Sequence, residues 1–316
     1  MKEITDYGKV FETLVQKTQD YLVQNNIKAQ ILGISGGIDS TVVAAICYEV
    51  SKRTNIPLIG RSLPTKFNKE AEITTADLVG KAFCNNYKEI PIMYPYSAFL
   101  DFLEAAGDAT TPISNGNIQA RLRMMYLYNL ASIHKGIVMD TDNLTENNLG
   151  YFTIHGDVGD FNPIGGLWKT EVFKLAAWLV NYYSQSTYRP STIPSENLYA
   201  AVIFKETNQS AAIKKSLKLK PTAGLGITDS DLDEIGAESY EQVDSILQEI
   251  LAWKWLSLEK RGDVYDSIWD MRNAFLEEQQ MLDTPIKVIM AVTDRHFKSE
   301  FKRKQLPIKI TREEIV

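Results

Sequence analysis

The chain has 316 residues, 44% of them hydrophobic and 23% charged, a globular composition that excludes a fibre or a disordered chain and suffices for one large core or two modest ones. Its 34 basic and 40 acidic side chains leave a formal charge of −6, which argues against general nucleic-acid binding, although basic residues gather between Arg295 and Arg312. Cys47 and Cys84 stand in apolar helical contexts and read as free thiols, no apolar run approaches the roughly 20 residues of a membrane span, and the start MKEITDYGKV lacks a signal-peptide profile, so a cytoplasmic protein is expected.

In chain order, one amphipathic helix occupies about residues 1–29. An apolar strand QILGIS follows, leading into the helical STVVAAICYEV. The pattern then repeats. IPLIGRSLP precedes NKEAEITTADLVGKAF, and YKEIPI precedes YPYSAFLDFLEAAG. After the break DATTPISNGN, the long helix IQARLRMMYLYNLASIHK leads into the strand GIVMD. Strands alternating with helices of this length predict an α/β fold, a doubly wound parallel sheet flanked by helices, with ligands at the carboxyl ends of the strands. A core over 30–182 is expected within one domain. From Asn181 the rhythm fails, and residues 183–239 read as an irregular insertion, either a lid over Leu219–Asp233 or a fixed helical elaboration. Residues 240–316 are helical again and end in a basic tail.

The first strand ends in GISGGIDST. Adjacent glycines between hydroxyls, in a strand-to-helix turn, let the backbone approach an anion at the positive end of a helix. A Walker loop would require a lysine, and a dinucleotide fingerprint a different glycine spacing, so both fail. Ser35, Gly36, Gly37, Ile38, Asp39 and Ser40 instead match SGGxDS, the pyrophosphate loop of N-type ATP pyrophosphatases. A second block, TDNLTENNLGYFTIHGDVGDFNPIGGLWKTEVFKLAAWL, resembles the core signature of the ammonia-dependent NAD synthetase family. GNIQARLRM, LKPTAGL, DEIGAESYEQVDSIL and SEFKRKQLP resemble further blocks of that family, in order, from about residue 30 to 307.

The resemblance implies an adenine nucleotide alpha hydrolase-like fold and a ligase that amidates deamido-NAD with ammonia, through an adenylate, releasing AMP and pyrophosphate. It assigns ATP contacts to Gly33, Ile34, the loop Ser35 to Ser40, Thr41, Thr141, Lys169 and Thr222. Magnesium falls to Asp39 and Glu146, and the dinucleotide to Arg121, Asp160, Phe301 and Lys302. Arg121 and Arg123 point to different faces of one helix, and Arg121 is the expected contact. The chain departs from the family pattern at Asp140, where a glycine is usual, at Ile154, where many members have lysine, and at Phe301, where histidine is usual.

No Ser, Cys or His arrangement suggests a covalent intermediate on the protein, so catalysis is expected to rest on positioning and charge neutralisation. No glutamine-hydrolysing domain is evident, which implies free ammonia or a separate ammonia-supplying partner. A homodimer is expected, with IQARLRMMYLYNLASI at its interface. The alternatives are a nucleotide-binding regulatory homologue without turnover, or another pyrophosphatase-loop ligase of GMP synthetase type.

Overall fold

The computed structural model describes residues 3–188, 202–221, 231–278 and 284–316. Its strands are β1 (Gln30–Gly33), β2 (Leu58–Ser62), β3 (Asn86–Glu89), β4 (Ile137–Met139), β5 (Phe161–Asn162), β6 (Gln185–Tyr188), β7 (Val202–Lys205) and β8 (Ile308–Lys309). Six of them form a parallel sheet in the order β3-β2-β1-β4-β5-β8, while β6 and β7 make a separate antiparallel pair. From β1 the sheet grows to β2 and β3 on one side and to β4, β5 and β8 on the other. The order reverses between β1 and β4, which leaves a crevice at their carboxyl ends.

The helices are α1 (Tyr7–Gln24), α2 (Ile38–Thr54), α3 (Glu70–Phe83), α4 (Met93–Ala106), α5 (Pro112–His134), α6 (Leu144–Leu149) and α7 (Lys169–Tyr183). They continue with α8 (Asn208–Ser216), α9 (Asp231–Ile235), α10 (Tyr240–Lys254), α11 (Ile268–Glu278), α12 (Ile286–Lys298), α13 (Glu300–Arg303) and α14 (Arg312–Ile315). A π-helical stretch, Trp255–Arg261, prolongs α10.

Alternation along β1 divides the core. Leu32 faces the layer of α1, α2, α3, α7 and α8, where it joins Leu14, Ile46 and Leu175, whereas Ile31 faces α5 and packs with Leu127, Leu130 and Val138. Both faces of the strand are therefore dry, which is why its sequence is a continuous apolar run. A third cluster, with Ile246, Phe275 and Val292 from α10 to α12, closes on Leu149 and Trp168. Its attachment points flank α6 and the start of α7.

The expected strands β1 to β4 are present. The structure adds β5 and β8, each two residues long, so the C-terminal segment returns to complete the sheet. Within the expected irregular insertion, α8 is a regular helix that buries Ala212 and Ile213 against the main core. The basic run is largely paired inside the molecule. Arg312 forks onto Glu171, Arg303 meets Glu300 and the Asn148 carbonyl, and Lys302 donates to the Gly150 and Phe152 carbonyls.

Both cysteines are free, and burial raises their thiols, that of Cys84 to about 12, which leaves them unreactive at neutral pH. Among the described residues no helix is long and apolar enough to cross a membrane.

Candidate active site

The turn after β1 is fixed by small residues and hydroxyls. Gly36 has φ +86°, and a Cβ there would stand 2.8 Å from the Ala76 amide nitrogen and closer still to the Glu72 carbonyl oxygen of α3. Only glycine fits this turn. The Gly37 amide donates to Ser35 Oγ at 3.1 Å, Ser35 and Ser40 share a hydrogen bond of 3.0 Å, and Ser40 Oγ donates to the Gly37 carbonyl at 3.1 Å. Ser216, at the end of α8, donates to the Gly36 carbonyl at 2.9 Å and receives Thr41 Oγ1 at 3.0 Å. The insertion thus buttresses the turn from behind. Gly37 is the N-cap of α2, so the first amides of that helix face the crevice without intrahelical acceptors.

A cavity of about 300 Å³ opens at this point, walled by the turn, by the ends of β2 and β4, by α5, and by Glu146 and Lys169. Thr141 lines it, as do Gly33, Ile34, Ser35, Gly37, Ile38, Asp39 and Ser40. Gly36 and Thr41 stand behind the wall; Thr41 is fully buried with its hydroxyl 2.8 Å from the Gly37 carbonyl. Leu219, Lys220 and Pro221 line the mouth, and Thr222 lies outside the described residues, as does most of the expected lid.

Lys169 is the charged centre. It is the first residue of α7, its amide donates to Thr145 Oγ1 at 2.8 Å, and only 1% of its surface is exposed. Its Nζ lies 2.5 Å from Asp39 Oδ2 and 2.9 Å from Glu146 Oε1. Burial alone would lower this lysine, but the two carboxylates outweigh it and hold the ammonium well above the ordinary lysine range. Asn143 completes the arrangement: its side-chain amide donates to Asp39 Oδ1 at 2.9 Å, while its carbonyl caps the Glu146 amide at 3.0 Å. Glu146 returns its other oxygen to the Asn143 amide at 3.2 Å, so the capping box of α6 holds Oε1 toward the Lys169 ammonium.

Sequence reasoning missed three neighbours. Asp244 of α10 is buried, accepting Thr145 Oγ1 at 2.5 Å and the Thr170 amide at 3.1 Å; burial pushes its carboxyl up to about 6 against the pull of those donors. It ties α10 to the starts of α6 and α7, and its position on the apolar face with Tyr240, Val243 and Leu247 was the available signal. Asp142 lines the cavity at 8% exposure, and its Oδ2 is buried with no hydrogen-bond partner. Arg123 reaches the cavity wall, its Nε donating to the Leu63 carbonyl at 3.0 Å.

The expected dinucleotide residues lie elsewhere. Arg121 is exposed on the other face of α5 and reaches the Ile154 carbonyl at 3.4 Å. Asp160 accepts Tyr128 Oη and the Val138 amide, each at 2.9 Å, and so braces β4 against α5. Phe301 is exposed, and Lys302 holds the Gly150 and Phe152 carbonyls at 2.9 and 2.7 Å. Ile154 and His155 line a second cavity of about 340 Å³, which shares Met124, Tyr128 and Val158 with the first.

Asp140 turns away from the cavity. Its carboxylate accepts the Asp142 and Gly159 amides at 2.7 Å and Asn162 Nδ2 at 2.8 Å, a joint between neighbouring strand ends, and burial pushes it up to about 7. Among the described residues no group of three or more His, Cys, Asp or Glu side chains could hold a metal ion.

A family model described as NAD synthase matches residues 10–306. An NH(3)-dependent NAD(+) synthetase of Thermoplasma acidophilum is 33% identical over 247 residues, 78% of this chain and 85% of that one. Among solved structures, the NMN synthetase of Francisella tularensis superposes with a TM-score of 0.67 at 26% identity, covering 95% of this chain and 97% of that one. The NH3-dependent NAD synthetase of Campylobacter jejuni, solved with a nitrate ion, gives 0.62 at 26% identity, with 96% and 98% covered.

Proposed function

Because the chain belongs to the NAD synthase family, we propose that it amidates deamido-NAD with ammonia at the expense of ATP, releasing AMP and pyrophosphate. The observation that carries this reading is the meeting of the Ser35–Ser40 turn with Lys169, Asp39 and Glu146 in one cavity. In this reading the turn and Thr141 hold the β and γ phosphates at the start of α2. The pyridine carboxylate attacks the α phosphorus, forming a P–O bond as pyrophosphate leaves. Ammonia then adds to the activated carbonyl, loses a proton, and displaces AMP.

Asp39 Oδ2 and Glu146 Oε1 converge on one point, at 2.5 and 2.9 Å from the Lys169 ammonium that stands there, and these two carboxylates would hold a magnesium ion brought with the triphosphate. Held there, it would supply charge neutralisation for the leaving pyrophosphate. Lys169 contributes a second positive charge from a dry site, where it acts on the developing charge with little solvent screening. Arg123 and the second cavity, with Ile154 and His155, offer room for the acceptor nucleotide beside the α phosphate. Arg121, Asp160, Phe301 and Lys302 then act at the rim or through the strand ends they brace.

The chain also pairs with a second copy of itself. Helix α4 buries only Tyr96, while Tyr94 is 86% and Phe102 63% exposed, and neighbouring α5 exposes Ile113, Met125 and Ile133. Apolar side chains left open on these two neighbouring helices support a covered surface. Light scattering is expected to give a dimer that Phe102→Glu converts to monomer; a wild-type monomer refutes the pairing.

Pyrophosphate release and NAD formation are expected only when ATP, magnesium, ammonium and deamido-NAD are all present. The same assay with nicotinic acid mononucleotide decides the acceptor: faster turnover of the mononucleotide overturns the dinucleotide reading. Absence of turnover with either acceptor overturns the ligase assignment.

A further inference from the structure

The two carboxylates assigned to a divalent ion already share one cation that the protein itself supplies. Lys169 Nζ sits at the one point that both Asp39 Oδ2 and Glu146 Oε1 reach, at 2.5 and 2.9 Å. The lysine is 1% exposed, its amide is pinned to Thr145, and its ammonium lies 5.5 Å from the centre of the Tyr240 ring. An ion cannot occupy that point while the ammonium does. With the main chain fixed, the ammonium leaves it only by rotation of its own flexible stem.

We propose that Lys169 is an internal counter-ion: it holds the cation position until nucleotide arrives, so divalent metal enters with the triphosphate rather than ahead of it. Arrival of ATP gives the ammonium a second set of oxygens. Lys169 is handed from the carboxylates to a phosphate, and the metal takes the place it leaves. The two cations therefore exchange partners in one step, and the carboxylates never stand uncompensated, which would be costly in a buried site. The proposal rests on the ATP and magnesium reading above, but its test does not require turnover.

Manganese serves as the probe, counted as free ion by electron paramagnetic resonance. Wild-type protein without nucleotide is expected to bind manganese weakly. Lys169→Met frees both carboxylates, and its affinity for manganese without nucleotide is expected to rise tenfold or more, since the ion no longer has to displace an occupant. Its melting temperature should also climb with manganese, while that of wild type stays put. Lys169→Arg keeps the charge and is expected to gain neither property.

If Lys169→Met loses its cooperative melt, Lys169→Gln gives the same neutral readout. Equal manganese affinity in wild type and the neutral variants, or tight binding by wild type alone, overturns the proposal. A failed amidation assay beside an intact affinity gain would refute the proposed reaction and leave the counter-ion standing.

Discussion

Gly36→Ala is the most direct test of the turn. An L residue at φ +86° costs about 1–2 kcal/mol. The added Cβ would lie 2.8 Å from Ala76 N, and ordinary contact begins at 3.4 Å, so the turn must retreat from α3 by at least 0.6 Å, the difference of the two. Both opposing atoms are main chain, so no rotamer change relieves the clash. Adding about 1–3 kcal/mol for overpacking gives a stability loss of about 2–5 kcal/mol. If these amides hold phosphate as proposed, displacing them by that much should weaken use of ATP by up to about a hundredfold.

Gly37→Ala is the stability control. That residue has φ −66°, and its Cβ would meet nothing nearer than Ser35 Oγ at 3.3 Å, which can rotate away. Thermal melts followed by circular dichroism, with the KM for ATP from pyrophosphate release, provide both readouts. A Gly36→Ala protein with wild-type melting and KM refutes the argument, as does a Gly37→Ala protein that melts equally low.

Arg312→Met strips a buried carboxylate of its bidentate partner, at 2.6 and 2.7 Å, and should destabilise the protein by about 3 kcal/mol. Because Glu171 also caps the Trp168 amide at the start of α7, ATP affinity should fall as well, and isothermal titration with unchanged affinity would show that Lys169 is placed without it. Asp142→Asn should change stability with pH in a defined direction. Burial first, then the nearby carboxylates of Asp140, Asp157, Glu146 and Asp39, raise Asp142 well above its unfolded value, so the folded state holds the proton more tightly. Stability is then full below the ordinary carboxylate range and declines as pH rises through the raised value, a loss that asparagine lacks. Melting curves from pH 4 to 8 should show the variant gaining on wild type; a constant difference would sink this account.

The strands β1 to β4 and the SGGxDS turn were legible in sequence because they are local: β1, β2 and β4 are largely buried runs, the exposed edge strand β3 followed from the alternation of strands and helices, and the glycines announce a strand-to-helix turn. β5 and β8 were not, since two-residue strands carry no periodicity and exist only where the sheet edge receives them. Helix α8 was masked by the turn-forming residues around it. Opposite faces for Arg121 and Arg123 followed from helical spacing, but which face met the cavity depended on how α5 packs on β1 and β4. Asp39, Glu146 and Lys169 came from different stretches through family resemblance alone, and their shared contact is a tertiary fact. Asp140 illustrates the converse: a carboxylate that looked out of place beside a triphosphate is accounted for by three donors that only the fold brings to it.

The pairing of Arg312 with Glu171 spans 141 residues of chain. At about 5–20 residues per second of synthesis, Glu171 waits about 7 to 28 s before the arginine that clamps it leaves the ribosome. Over the same interval β5 is an open edge, because β8 has not been made. A nascent chain that already displays the Ser35–Ser40 turn, Asp39, Glu146 and Lys169 therefore lacks the clamp on the start of α7. Completion of the candidate site is thereby tied to completion of the sheet, and the growing chain passes through its most association-prone period before that site is finished.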